Sequence, residues 1–199
     1  MSSVIYKFTS FTTSNSYIVK PFNDEKCFIV DLPPDLDSVI EFIKKNNLTI
    51  AGALITHGHY DHSLGLSSFE GKAYMNLDDE FLARNPQDQI RSLLGSSFEV
   101  EEYSDELYSI SEIQSKHIKV HKNPGHTKGS VSYEFPSEGL IFSGDFVFKD
   151  GIGRTDLFSG SIEEMRHSVN NTFLNFNEEF EILPGHGPSD KVKTITENN

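Results

Sequence analysis

The segment His57-Gly58-His59-Tyr60-Asp61-His62 places three imidazoles and one carboxylate in six consecutive residues, in a chain that has eight histidines in all. Imidazole and carboxylate without thiolate form a ligand set suited to zinc, iron or manganese. Three further donors stand alone in similar settings: His126 in "NPGHTKG", Asp145 in "LIFSGD" and His186 in "ILPGHG". Each follows an apolar or alternating run and sits beside a glycine, which permits a tight turn or a positive φ. Five histidines and two aspartates exceed the four ligands of one tetrahedral zinc. They fit two adjacent ions. One ion would take His57, His59 and His126, and the other Asp61, His62 and His186. Asp145, with two oxygens, would reach both, and a water or hydroxide would fill the shared position. His117 and His121 in "HIKVH", and His167 inside a helical pattern, lack an adjacent glycine and read as structural or surface residues.

Ligands dispersed in this way need strands that end at a common edge. "NSYIVKPF" and "EKCFIVDL" read as two strands with a short polar connection. "PPDLDSVIEFIKKNN" reads as a helix, with Pro34 and Asp35 as start signals and Leu36, Val39, Ile40 and Ile43 as its apolar stripe. "TIAGALIT" suits a strand buried on both faces. The stretch 76–95 is helical in parts. "HIKVHKN" alternates like a strand, and "VSYEF" and "GLIFSGD" are two more, joined by a turn over 136–139. "SIEEMRHSVNNTFLNF" is a helix with a capping box of Ser161 and Glu164 and a stripe of Ile162, Met165, Val169 and Phe173. "FEILPGHG" is a last strand running into a Gly-rich loop. The alternation of strands and helices specifies an α/β chain in which helices cover sheets.

The 199 residues are read as one domain, 1–199. Sixteen Phe and 36% apolar residues argue for a packed core. No run of eighteen apolar residues suggests a membrane span, and the N-terminus lacks a basic segment followed by an apolar one, so no signal peptide is expected. The single cysteine, Cys27 in "CFIV", excludes an internal disulfide and a CxxC site and reads as a buried strand residue. A soluble, cytoplasmic protein is expected. The net charge of −13 opposes nucleic-acid binding, which needs a basic face.

Taken in order, "THGHYDH", "PGHTKGS", "FSGD" and "PGHG" resemble the metallo-β-lactamase superfamily, over residues 16–188. The resemblance implies an αββα sandwich, two β-sheets packed together with helices outside and the metals at one edge. Asp61-His62 is similar to the glyoxalase II (hydroxyacylglutathione hydrolase) branch. The best-known class of β-lactamases carries another residue in place of His62 and uses a cysteine ligand, and Cys27 is in the wrong place for that. "GIGRTDLFSG" (151–160) is similar to short glyoxalase II-like hydrolases and to persulfide dioxygenases. Longer glyoxalase II enzymes have a C-terminal helical region that helps hold glutathione, whereas this chain stops thirteen residues after His186. They also tend to carry a lysine-containing, aromatic segment where this chain has Arg154-Thr155-Asp156. The family's Asp-Pro-Gly turn is Asp31-Leu32-Pro33-Pro34 here.

The implied activity is hydrolysis of a thioester such as S-D-lactoylglutathione by a metal-bridging hydroxide. Two divalent ions are expected, zinc foremost, with iron or manganese as alternatives. Asp61 would orient the hydroxide and Asp145 would hold the ions at a fixed distance. A thiolate leaves readily, because a free thiol has a pKa of about 8.5. Arg154 would contact a substrate carboxylate or pair with Asp156, and Tyr60 would line the cleft. The partner is a small molecule. The rival reading is an iron-dependent persulfide dioxygenase, with one iron on His57, His126 and Asp145. Lactonase and nuclease activities are lesser rivals, the nuclease opposed by the charge. A non-catalytic metal-binding or scaffold protein is the remaining class, and it would be favoured by a missing ligand.

Overall fold

A computed structural model of the chain describes residues 4–95, 99–100 and 102–198. The first sheet takes β1 (Val4–Thr9), β2 (Asn15–Lys20), β3 (Lys26–Val30), β4 (Thr49–Leu54), β5 (Ala73–Met75) and β6 (Tyr108–Ser109), in that spatial order. Its first two junctions are antiparallel and the rest parallel. The second sheet uses β7 (Lys119–Lys122), β8 (Val131–Phe135) and β9 (Leu140–Gly144). After a separate hairpin, β10 (Val147–Phe148) with β11 (Gly151–Ile152), it is completed by β12 (Glu181–Pro184) and β13 (Asp190–Lys191). Its order is β13-β12-β9-β8-β7, with β12 parallel to β9.

Each sheet is buried on both faces, and the period of two along its strands explains how. In the first sheet Tyr17, Val19, Phe28, Val30 and Leu54 face inward, while Ile18, Cys27, Ile29 and Ala53 face the opposite way. In the second, Leu140 and Phe142 meet the first sheet, while Ile141 faces out. Three apolar layers result. The middle one lies between the sheets. One outer layer packs under α1 (Asp37–Lys45), and the other under α5 (Ile162–Asn171) and α6 (Val192–Asn198). This is the αββα sandwich expected from the sequence. Cys27 is 1% exposed, as its apolar run implied. Among the described residues no helix is long and apolar enough to cross a membrane.

Several expectations need correction. Helix α1 begins at Asp37, a turn later than Pro34 and Asp35 suggested. The Asp35 carboxylate is engaged elsewhere: it accepts hydrogen bonds from the Ser10 hydroxyl and the Phe11 N–H, and so ties down the β1–β2 loop. In α5 only half of the capping box forms. Ser161 Oγ accepts from the Glu164 N–H at 3.3 Å, but the Ser161 N–H goes to Gly125 O. Ile162, assigned to the buried stripe, is 38% exposed, while Met165 and Phe173 are buried. Strands β1, β5, β6, β10, β11 and β13 were not anticipated. Between β4 and β7 the described residues include the short α-helices α2 (Tyr60–Ser63), α3 (Glu80–Arg84) and α4 (Pro86–Leu94).

Candidate metal centre

Four strands deliver the predicted ligands to one end of the sandwich. β4 runs through Ile55 and Thr56 into His57, and α2, a single helical turn, carries Asp61 and His62. The β7–β8 loop brings His126, Asp145 directly follows β9, and His186 lies two residues past β12. Backbone hydrogen bonds lock these endings together: Val131 N–H to Thr56 O at 2.9 Å, Gly185 N–H to Gly144 O at 2.8 Å and Leu32 N–H to His62 O at 2.8 Å. Parallel strands that end side by side leave a crevice at their carboxyl ends, a common place for a site in α/β proteins.

All seven residues converge. Three triads have ligand atoms within 4.8 Å of one another: His57, His59 and His126; Asp61, His62 and His186; and His57, His62 and Asp145. The first two are the triads read from the sequence. The third ties them together. One Asp145 oxygen lies 3.4 Å from His62 Nε2, and the other lies 3.5 Å from His126 Nε2 and 3.6 Å from His186 Nε2. His186 Nε2 is 3.1 Å from Asp61 Oδ2 and 3.3 Å from His62 Nε2. His59 Nδ1 and His126 Nε2 face each other at 2.8 Å. His57 Nε2 and Asp145 Oδ1 are buried without a hydrogen-bond partner. Buried polar atoms are nearly always satisfied. Two orphaned lone-pair donors that face a thiolate-free cluster fit divalent cations.

The electrostatics favour the same reading. Burial, reinforced by His62 and His126, holds His57 far below the usual histidine range. Burial and the nearby His126 bring His59 down to about 4. Both rings are therefore neutral at physiological pH and keep a lone pair for a metal. Burial also pulls His62 down, but Asp61, Asp145 and Asp31 outweigh it and push His62 up to about 10. Burial would raise Asp61, yet His62 and His186 hold it below the usual carboxylate range. The pocket thus concentrates negative charge and stabilises a positive neighbour.

A surrounding set of contacts orients the ligands, and spacing alone did not reveal it. Asp31, 2% exposed, accepts from the Thr56 N–H at 2.7 Å and the Thr56 hydroxyl at 2.8 Å, and lies 2.9 Å from His62 Nδ1. Such a partner fixes which ring nitrogen of the histidine faces the metal. His126 Nδ1 lies 2.7 Å from the Arg154 carbonyl, so the 151–160 segment positions a ligand through its backbone. Ser14 Oγ donates to Asp61 O at 2.7 Å, and Thr13 Oγ1 lies 3.2 Å from His186 Nδ1. The available signal was a carboxylate at the end of the apolar strand "FIVD".

The remaining histidines stay out of the cluster. His117 lies 3.7 Å from Asp24, His121 pairs across the sheet with Glu134, and exposed His167 meets Asn171. Tyr60 and Arg154 both line a cleft of about 550 Å³ over the centre, with Phe148, Ile152, Leu157 and Phe158 along the same wall. The Arg154 guanidinium is engaged by Asp156 through two hydrogen bonds of 2.9 Å.

Comparison with known proteins agrees with this geometry. The sequence model of the metallo-beta-lactamase superfamily matches residues 9–186. A probable metallo-hydrolase, YqgX of Bacillus subtilis (strain 168), is 30% identical over 193 residues, which cover 94% of this chain and 90% of that protein. A hydroxyacylglutathione hydrolase of Pseudoalteromonas translucida is 32% identical over 160 residues, covering 79% of this chain and 55% of the relative. The crystal structure of the BLEG-1 B3 metallo-beta-lactamase superposes with a TM-score of 0.87 at 26% identity, covering 98% of both chains. With the match running from the end of β1 to the last histidine of the cluster, the chain belongs to the metallo-β-lactamase superfamily.

Proposed function

We propose that the protein is a dinuclear metal hydrolase acting on small thioesters of the S-D-lactoylglutathione kind. The observation that carries the metal reading is the Asp145 carboxylate standing between two complete triads. When bound, divalent ions supply hydroxide at neutral pH and polarise a carbonyl. The protein's own residues do the rest. Asp61 stays ionised and is held by His186, so it can accept a hydrogen bond from the attacking water and aim its lone pair. Tyr60 and the apolar wall of Phe148, Ile152, Leu157 and Phe158 flank the cleft and would seat the acyl group and thiol carrier while limiting competing water. A thiolate leaves without the protonation that an amine requires.

The thioester assignment is supported by the hydroxyacylglutathione hydrolase relative. This chain aligns with 55% of that protein. Incubation with S-D-lactoylglutathione, following thioester absorbance on protein loaded with zinc, manganese or iron, tests it directly. Hydrolysis well above background is expected, and none with any of the three metals would refute the thioester reading. Oxygen uptake with glutathione persulfide would instead favour the dioxygenase. The similarity to BLEG-1 over 98% of both chains motivates a chromogenic cephalosporin as a second substrate in the same assay.

A further inference from the structure

We propose that Asp79 is a positioning residue that sets the three-histidine half of the metal centre by clamping the His57–His59 loop to the His126 loop. This inference rests on the dinuclear reading above. Asp79 ends a short turn of 3₁₀ helix, Leu77–Asp79, after β5, and its side chain is 0% exposed. It touches no predicted ligand atom. Its hydrogen bonds go to the residues beside the ligands. One carboxylate oxygen accepts from the Gly58 N–H at 2.9 Å and from the Thr127 hydroxyl at 2.5 Å, and the other accepts from the Gly129 N–H at 2.6 Å. Gly58 stands between His57 and His59, and Thr127 follows His126. A single carboxylate is therefore bonded next to every member of the three-histidine triad.

The backbone around it is shaped to admit it. A Cβ on Gly58 would come 2.7 Å from the Asp79 carbonyl oxygen, and one on Gly129 would come 2.5 Å from Asp79 Cγ. Contacts that short are not tolerated, so both positions require glycine for close approach. Burying a carboxylate is costly unless its oxygens are fully bonded. Here the bonds that offset the cost all hold ligand loops. Asp31 bonds to His62 in one half and, through the Thr56 hydroxyl 3.1 Å from His57 Nδ1, also reaches the other, whereas the bonds of Asp79 are confined to the loops of the three-histidine half.

The test is a cobalt(II) titration of the full chain, read by the visible absorption of the bound ion and by calorimetry. Wild type should take up two ions, and His59→Ala identifies which belongs to the three-histidine site. Asp79→Asn retains the shape but turns an acceptor into a donor facing other donors. It should weaken binding at that site by about 10- to 100-fold and alter its absorption band, while the other site keeps its affinity. Asp31→Asn, which disturbs both His62 and the Thr56 hydroxyl beside His57, should weaken both sites and so serves as the contrast to the one-site effect of Asp79→Asn. Thr127→Val removes one of the three bonds and should shift the same site in the same direction by less. It serves as the readout if Asp79→Asn does not fold. Wild-type binding at both sites in a folded Asp79→Asn, equal weakening of both, or unchanged binding in Thr127→Val overturns the proposal. Failure of the wild type to take up two ions would instead overturn the dinuclear reading, and this inference with it.

Discussion

His62 illustrates how far a ligand depends on residues outside the ligand set. Its ring is fully buried, with Nδ1 2.9 Å from Asp31 and Nε2 facing Asp61 and Asp145. Asp31→Asn would put an amide group where the Thr56 hydroxyl or His62 Nδ1 needs an acceptor. Leaving one buried donor unpaired costs about 1–3 kcal/mol, so the variant's urea midpoint should fall accordingly, and an unchanged midpoint would sink this account of Asp31. Removing a ligand acts differently. His57→Ala and Asp145→Ala should lose bound metal by elemental analysis, while His117→Ala and His167→Ala should retain the wild-type content. Full metal content in both ligand variants would disprove the site. The ligands were legible in the sequence because histidines beside glycines at strand ends are a pattern of residue type and spacing. Asp31 and Asp79 were not, because their roles are defined by burial and by partners 21 to 50 positions away. The pairing of Arg154 with Asp156 was legible as one of the two roles read for its side chain. Its carbonyl, which meets His126, was not, because no side-chain reading finds it.

At the level of elements, the inner strands β2, β3, β4, β8, β9 and β12 were readable because their faces are largely buried, so each carries an apolar run. By contrast β1, six residues long but at the edge of its sheet, was missed. The short strands β5, β6, β10, β11 and β13 span two or three residues, too few for any period to show, and they exist because a neighbouring strand pairs with them. Helix α5 marks the boundary between the two situations. Its sequence period placed Ile162 with Met165, but the helix enters from Gly125, which takes the Ser161 N–H, and this leaves the first turn outside the core. The contrast is measurable. Phe142 lies fully buried between the sheets, edge-on to Tyr17 and Phe135. Phe142→Ala should cost about 3–5 kcal/mol in denaturant unfolding. Ile162→Ala should change stability by less than about 0.5 kcal/mol. Comparable losses in the two variants would mean that the assignment of the α5 face is wrong.

For the molecule as a whole, the decisive feature is where the two halves of the centre come from. His57, His59, Asp61 and His62 follow β4 of the first sheet, while His126, Asp145 and His186 belong to connections of the second. Any ion held by the proposed triad of His57, His59 and His126 therefore joins the two sheets at one edge. Asp61, His62 and His186 would join them again. Such ligands bind the folded chain and not the separated segments, so their binding free energy adds to stability. At ion concentrations a hundredfold above the dissociation constant the gain is about 2.7 kcal/mol per site. The net charge of −13 adds to the effect, since bound cations relieve part of the repulsion among the acidic groups. Dialysis against a chelator should lower both the urea midpoint and Tm. Restoring zinc or manganese should return them, and His59→Ala should recover only part of the gain. If the midpoint is the same with and without metal, the ions do not bridge the sheets, and the convergence of seven donors at this edge would need another explanation.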